Sequence, residues 1–90
     1  MFKIFYHPFV VRDDIPKLSN EWKGKVRRAI EERLTPHPDL YGKPLRRSLK
    51  GYRKLRVGDW RVIFKIERGR VMILVIQHRS AVYKKIEKRR

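Results

Sequence analysis

Residues 51–83 read GYRKLRVGDWRVIFKIERGRVMILVIQHRSAVY: three strand-like runs, two tight turns and a helical end. Arg53, Leu55 and Val57 alternate with Lys54 and Arg56. After Gly58-Asp59 the alternation resumes, with Trp60, Val62, Phe64 and Ile66 set against Arg61, Ile63, Lys65 and Glu67. A period of two interrupted by a Gly-Asp link is the signature of a hairpin. That loop pairs Val57 with Trp60, Arg56 with Arg61, Leu55 with Val62 and Lys54 with Ile63. A slip of one residue would carry Leu55, Val62 and Phe64 to the wrong face, so the pattern resists other registers. Arg68-Gly69 supplies the next turn, and residues 71–78 form an almost wholly apolar strand, as expected of a central strand covered on both faces. In a regular ladder Val62 faces Val75, Arg61 faces Ile76, and His78 falls level with Asp59. Lys54, Arg56, Arg61 and His78 then share one face, and Trp60, Val62, Phe64, Val71, Ile73 and Val75 share the other. Met72, Leu74 and Ile76 fall on the basic face, so part of it requires cover from the terminal helix or from a partner.

Upstream, residues 2–7 alternate as a strand that Pro8 ends. Val10, Val11, Ile15 and Leu18 fit a short first helix, against which Pro16 counts. Ser19 caps a second helix, in which Trp22, Val26, Ile30 and Leu34 recur at every fourth position and Ala29 fills the seam. Its other face mixes Lys23, Lys25, Arg27 and Arg28 with Glu31 and Glu32, the pattern of a solvated surface rather than a nucleic-acid site. Residues 35–44 contain three prolines and a glycine and read as a loop. His7 has no second ligand at metal-binding spacing and reads as structural, and His37, between prolines on an exposed connection, has no visible catalytic partner. At the other end, Val82 and Ile86 recur at helical spacing beside Tyr83, and the basic tail suits a helix C-terminus. The expectation is one α+β domain spanning residues 1–90: a small twisted antiparallel β-sheet, two N-terminal helices on one face and a short C-terminal helix.

The 90 residues carry 25 Lys plus Arg against 9 Asp plus Glu, a formal net charge of +16, and no cysteine. Such a charge on a small folded domain points to a polyanion or to an acidic protein partner. A membrane surface fits poorly, because neither helical stretch couples a basic face to a strongly apolar one. No apolar run reaches spanning length, and the first eight residues lack the signal-peptide pattern, so a cytoplasmic location is expected. From Lys43 to Arg61 there are eight Lys or Arg and a single acid, Asp59, so the loop delivers a basic edge into the sheet.

Two arginines opposite one another on adjacent strands repel, at a cost of a few tenths to about 1 kcal/mol. Guanidinium groups so placed fit phosphate oxygens and the extra charge of a pentavalent transition state. RNA carries its own nucleophile, the 2′-hydroxyl, so its cleavage needs a base, an acid and a charge stabiliser. That suits a chain whose acids show no clustered pair of the kind that holds magnesium, and no cofactor is expected. Lys54 is a candidate base, His78 a candidate acid or base because imidazole titrates near neutrality, and Tyr83 a candidate phosphate or 2′-hydroxyl contact if its helix folds back over the sheet.

Three motifs make the chain resemble the RelE/ParE toxin superfamily over nearly its whole length. They are P-x-x-x-G-K-P-L-R at residues 38–46, Y-R-K-L-R-V-G-D-W-R-V-I-F at 52–64 and H-R-S-x-V-Y at 78–83. The resemblance to the RelE-like branch implies a toxin of a type II toxin-antitoxin system. Such a toxin is a metal-independent endoribonuclease that cuts mRNA in the ribosomal A site, leaving a 2′,3′-cyclic phosphate and a 5′-hydroxyl, and an antitoxin protein wraps and silences it. Its site residues fall on Lys54, Arg61, Arg79 and Tyr83, and relatives place a histidine near His78. Arg46, Arg47, Lys50, Arg53 and Arg56 are the expected RNA-binding residues. A further lysine common in the RelE pattern is replaced by Tyr52. The ParE branch, which has the same fold and poisons DNA gyrase by binding, is the alternative, and a catalytically weakened RNA-binding homologue is a third. Retention of Arg61, Arg79 and Tyr83 together favours the nuclease, since a binding module has no need of a tyrosine and arginines converging on a phosphate.

Overall fold

The computed structural model describes residues 1–46 and 49–89. In chain order it comprises β1 (Lys3–Tyr6), a helical segment of two parts (Val10–Asp14 and Ile15–Lys17), α1 (Asn20–Ala29) continued by a wide turn (Ile30–Leu34), α2 (Pro38–Tyr41), β2 (Lys43–Pro44), β3 (Tyr52–Val57), β4 (Trp60–Glu67), β5 (Arg70–His78) and α3 (Val82–Arg89). The first helical segment is not the regular helix that its spacing predicts. It is a π-type turn followed by a tight 3₁₀ turn beginning at Ile15-Pro16, because proline offers no N–H for the regular ladder. Ser19 does cap α1, its Oγ accepting from the Trp22 N–H at 3.3 Å. The expected loop at 35–44 holds two elements that its proline content concealed. Pro38 opens α2, where its missing N–H is no loss, and Lys43 and Pro44 pair with Lys54 and Arg53 at the sheet edge.

The sheet order is β1-β5-β4-β3-β2. It is mixed rather than wholly antiparallel, because β1 runs parallel to β5. A parallel pair needs a long crossover, and the helical layer between β1 and β2 supplies it. The β3–β4 ladder has the register that the alternation dictates, with Val57, Arg56, Leu55 and Lys54 opposite Trp60, Arg61, Val62 and Ile63. Gly58 in its turn has φ +60°, and a Cβ there would lie 2.5 Å from Trp22 Cη2, so α1 packs directly on this turn.

The β4–β5 ladder departs from the regular register. Its pairs step from Ile63–Val75 to Phe64–Ile73, which leaves Leu74 as the extra residue of a β-bulge. Val62 therefore faces Ile76 instead of Val75, Arg61 faces Gln77 instead of Ile76, and His78 is level with Trp60 instead of Asp59. The bulge also redistributes the apolar side chains. Val62, Phe64, Val71, Ile73 and Ile76 pack with Val10, Val26, Ile30 and Leu34 under the N-terminal helices. Ile63, Leu74 and Val75 pack with Val82 and Ile86 of α3 on the opposite face. Two small cores thus sandwich β5: of the three apolar residues expected on the basic face, Leu74 is covered by α3, Ile76 turns to the opposite core, and Met72 is half-buried outside both.

Where β1 stops, the outer edge of β5 is completed by side chains. The His7 N–H donates to the Ile73 carbonyl at 2.8 Å, the last backbone bond described across that edge. Beyond it, Arg89 Nη1 donates to the Leu74 carbonyl at 3.1 Å, and the Ile76 N–H donates to Asp14 Oδ2 at 2.8 Å. Arg89 and Asp14 form a bidentate pair at 2.6 and 2.7 Å, with side chains 3% and 0% exposed. Gln77 Nε2 donates the fourth bond to the same carboxylate at 2.8 Å. This cluster ties the far end of α3 and the first helical segment to the central strand.

Gly42 joins α2 to β2 where the backbone passes over the core. A Cβ there would lie 2.8 Å from Phe64 Cε1 and 3.0 Å from Arg53 Cβ, inside contact distance of a fully buried ring. Gly42→Ala is therefore expected to destabilise the domain by about 1–3 kcal/mol, read as a lower urea midpoint at unchanged m-value.

Candidate active site

Burial of Val82 and Ile86 against Ile63, Leu74 and Val75 lays α3 over the basic face. Tyr83 follows Val82, and its Oη accepts from Lys54 Nζ at 3.0 Å, with the ammonium 5.5 Å from the ring centroid. These two are the meeting point of a cleft of about 480 Å³ lined by Lys54, Arg61, His78, Arg79, Ser80, Val82 and Tyr83. Among the described residues, no carboxylate lines it.

Each cation is held differently. Arg56 and Arg61 are opposite one another in the ladder, and their repulsion is relieved on one side. Arg61 Nη1 donates to the Gly58 and Trp60 carbonyls at 2.8 and 3.0 Å, which fixes the guanidinium at the end of the hairpin. The Arg79 N–H donates to the Asp59 carbonyl at 2.8 Å, and its Nε lies 3.6 Å from Asp59 Oδ1 at the exposed rim. The bulge puts the His78 ring beside Trp60, centroids 5.8 Å apart, so His78 borders the cleft from the strand end and does not share the face of Lys54 and Arg61. Its Nδ1 accepts from the Ser80 N–H at 3.2 Å and lies 2.9 Å from Ser80 Oγ. An accepting Nδ1 leaves the proton of the neutral ring on Nε2.

Lys54, Arg61, His78, Arg79 and Tyr83 thus border one cavity. The expected RNA-binding residues divide. Arg46 lines a neighbouring hollow of about 340 Å³ that also reaches Lys54 and Tyr83. Arg56 lines another of about 280 Å³ that reaches Lys54 and Arg61. Lys50 is exposed in the turn before β3 and borders neither hollow. Arg53 has a structural role instead, since its Nη1 donates to the carbonyls of Gly42 at 2.8 Å and Asp39 at 3.3 Å and so pins α2 to β3. Arg47 lies outside the described residues. Tyr52 is opposite Lys65 in the ladder, with the Lys65 ammonium 5.6 Å from its ring centroid. That ammonium is also engaged by Glu67 at 2.9 Å, a bond that holds the Glu67 carboxyl below its ordinary range.

Sequence reasoning missed Ser80, Arg33, Tyr41 and Lys43. Ser80 was legible in the H-R-S motif. Arg33 reads as one more cation on a mixed helix face, and Tyr41 and Lys43 as loop residues, until α2 is seen folded against β3.

A mixed five-stranded sheet with helices on one face and, under a C-terminal helix on the other, a cleft lined by Lys54, Arg61, Arg79 and Tyr83 defines a RelE/ParE-type toxin domain. Residues 5–83 match the family described as the ParE toxin of type II toxin-antitoxin system, parDE, and the chain belongs to it. Among its relatives, Toxin RelE of Mycobacterium tuberculosis is 45% identical over 53 residues, which are 57% of this chain and 55% of that protein. Toxin RelG of the same organism is 39% identical over 54 residues, 58% of this chain and 62% of that protein. The matched region therefore spans little more than half the length of these curated relatives. In the crystal structure of the M. tuberculosis toxin-antitoxin complex RelBE2, a similar chain superimposes with a TM-score of 0.79 at 29% identity, over 86% of this chain and 96% of that one. Among the described residues, no helix is long and apolar enough to cross a membrane.

Proposed function

We propose that this protein is the toxin of a toxin-antitoxin pair and acts as an endoribonuclease that cuts mRNA in the ribosomal A site without a metal ion, by 2′-hydroxyl attack. The observation that carries this reading is the Lys54–Tyr83 contact at 3.0 Å in a cleft lined by Arg61 and Arg79 and, among the described residues, by no acid. An RNA phosphate bound there would meet two guanidinium groups, which favour its ordinary charge and still more the added charge of the pentavalent state. The 2′-oxygen forms a bond to phosphorus and gives its proton to Lys54 Nζ once that amine has released its own proton to solvent, with Tyr83 orienting the hydroxyl. The bond from phosphorus to the 5′-oxygen breaks, and that oxygen takes a proton from Nε2 of the doubly protonated His78 ring, whose Nδ1–H has Ser80 Oγ within reach as acceptor, leaving neutral imidazole. The products are a 2′,3′-cyclic phosphate and a 5′-hydroxyl.

The neighbouring hollows at Arg46 and Arg56 both reach Lys54 and extend the cationic surface beyond the cleft, as binding of a polynucleotide would require. An antitoxin rich in acidic residues is the protein partner that best offsets the net charge of +16. The test is to add the purified protein to translating ribosomes in the absence of added metal beyond what the ribosomes need, and to map mRNA ends. Cuts within the A-site codon that carry cyclic phosphate ends are expected. Intact mRNA, together with stalled gyrase on cleaved DNA, would replace the nuclease reading with gyrase poisoning.

A further inference from the structure

The hollow that Arg56 lines is built in part from elements that the catalytic reading does not use. Of about 280 Å³, it is lined by Arg33 from the turn after α1, by Tyr41 and Lys43 at the two sides of Gly42, and by Lys54, Leu55, Arg56 and Arg61 of the hairpin. Five of these seven are cations, and among the described residues no acid lines the hollow. Tyr41 is 49% exposed although it sits beside the core, and the Arg33 guanidinium lies 5.9 Å from its ring centroid. A tyrosine left half in water contributes little to packing, and α2 has no need of one at its last position.

Its placement is nevertheless restrained. Arg53 holds the carbonyls of Asp39 and Gly42, and the close passage of Gly42 over Phe64 leaves the backbone on either side of Tyr41 little room to shift. The ring is therefore presented at the mouth of a cation-lined cavity by a pinned loop. Exposed aromatic faces among Lys and Arg are what single-stranded nucleic acid stacks on, since every base has a π-face and every linkage a charge. The volume is of the order of a single nucleotide, and Lys54 and Arg61 belong to both this hollow and the cleft.

We propose that this hollow is an outer nucleotide subsite: Tyr41 stacks the base of a nucleotide flanking the scissile phosphate, while Arg33, Lys43 and Arg56 hold its backbone phosphate. The proposal rests on the reading of the cleft as an RNA-cleaving site and adds to it a residue that registers the strand. Tyr41 is a positioning residue in this account; it touches no reacting atom.

The test uses the full chain and a short, uncleavable 2′-O-methyl oligoribonucleotide, with binding followed by fluorescence anisotropy at fixed low salt. Tyr41→Ala is expected to weaken binding about ten-fold, and Tyr41→Phe to leave it unchanged. A series of oligomers, each lacking one base, should contain one that binds the unaltered protein as weakly as the full oligomer binds Tyr41→Ala. Removing that base should cost Tyr41→Ala nothing more. Arg33→Ala and Lys43→Ala should weaken every oligomer alike and flatten the salt dependence. Thermal melting of each variant separates loss of fold from loss of contact. Equal affinity of Tyr41→Ala and the unaltered protein, or a loss spread evenly over all the abasic oligomers, overturns the subsite, whatever the ribosome assay gives. Intact mRNA on the ribosome with a base-specific loss at Tyr41 overturns the nuclease reading alone. If the unaltered protein binds no oligomer, the subsite falls while ribosomal cleavage is still read directly.

Discussion

Replacing Asp14 by Ala is expected to cost about 3–5 kcal/mol of stability, a large part of the roughly 5–15 kcal/mol typical of a domain. The carboxylate is fully buried and receives four donors: two from Arg89, one from Gln77 and the backbone N–H of Ile76. Truncation leaves a guanidinium charge in the interior with no counter-ion and a strand-edge N–H with no acceptor, and each is penalised by desolvation. The measurement is the free energy of urea unfolding. A double variant, Asp14→Leu with Arg89→Leu, should recover part of the loss, because removing both charges is far cheaper than stranding one. If Asp14→Ala unfolds within about 1 kcal/mol of the unaltered protein, the cluster does not stabilise the fold. The same variant has a functional side. The far end of α3 is held by Arg89 in this cluster and by the burial of Ile86, so loosening the cluster should also loosen the seat of Tyr83 beside Lys54.

Arg61→Ala is expected to lower A-site cleavage by about a hundred- to a thousand-fold, the usual cost of removing a preorganised donor aimed at developing charge. The fold should survive, because the side chain is only partly buried and its two hydrogen bonds go to turn carbonyls, together a cost of about 1–2 kcal/mol. Arg61→Lys keeps the charge and loses the planar fork, so its activity should fall between the two. Cleavage rates on programmed ribosomes and a melting curve decide the matter together. Full activity in Arg61→Ala would remove the transition-state role, and an unfolded variant would show that the carbonyl contacts matter more than the charge.

Much of this site was legible from local pattern. The β3–β4 register follows from alternation about a two-residue turn, and it sets Lys54, Arg56 and Arg61 on one face with no knowledge of the rest of the chain. The Ser19 cap and the apolar seam of α1 are likewise local signals. Two things escaped. The bulge at Leu74 escaped because a nearly uniform apolar strand has no alternation to betray an extra residue; it exchanged the faces of Val75 and Ile76 and set His78 beside Trp60. The role of Asp14 escaped because the second of two adjacent acids, Asp13 and Asp14, gives no sign in sequence of a partner 75 residues away.

By itself, then, the sequence determined the hairpin, the polarity of its two faces, the helix over the core and the excess of positive charge. These depend on neighbours a few residues apart, whose side chains must alternate or recur if the backbone is to hydrogen-bond and the apolar groups are to leave water. Only the tertiary structure decided the rest: the parallel seat of β1, the bulge, the tying of α3 by Asp14 and Arg89, and with it the meeting of Tyr83 and Lys54. Each depends on packing between segments far apart in the chain, where the partner that satisfies a buried donor or fills a space is set by three-dimensional proximity alone.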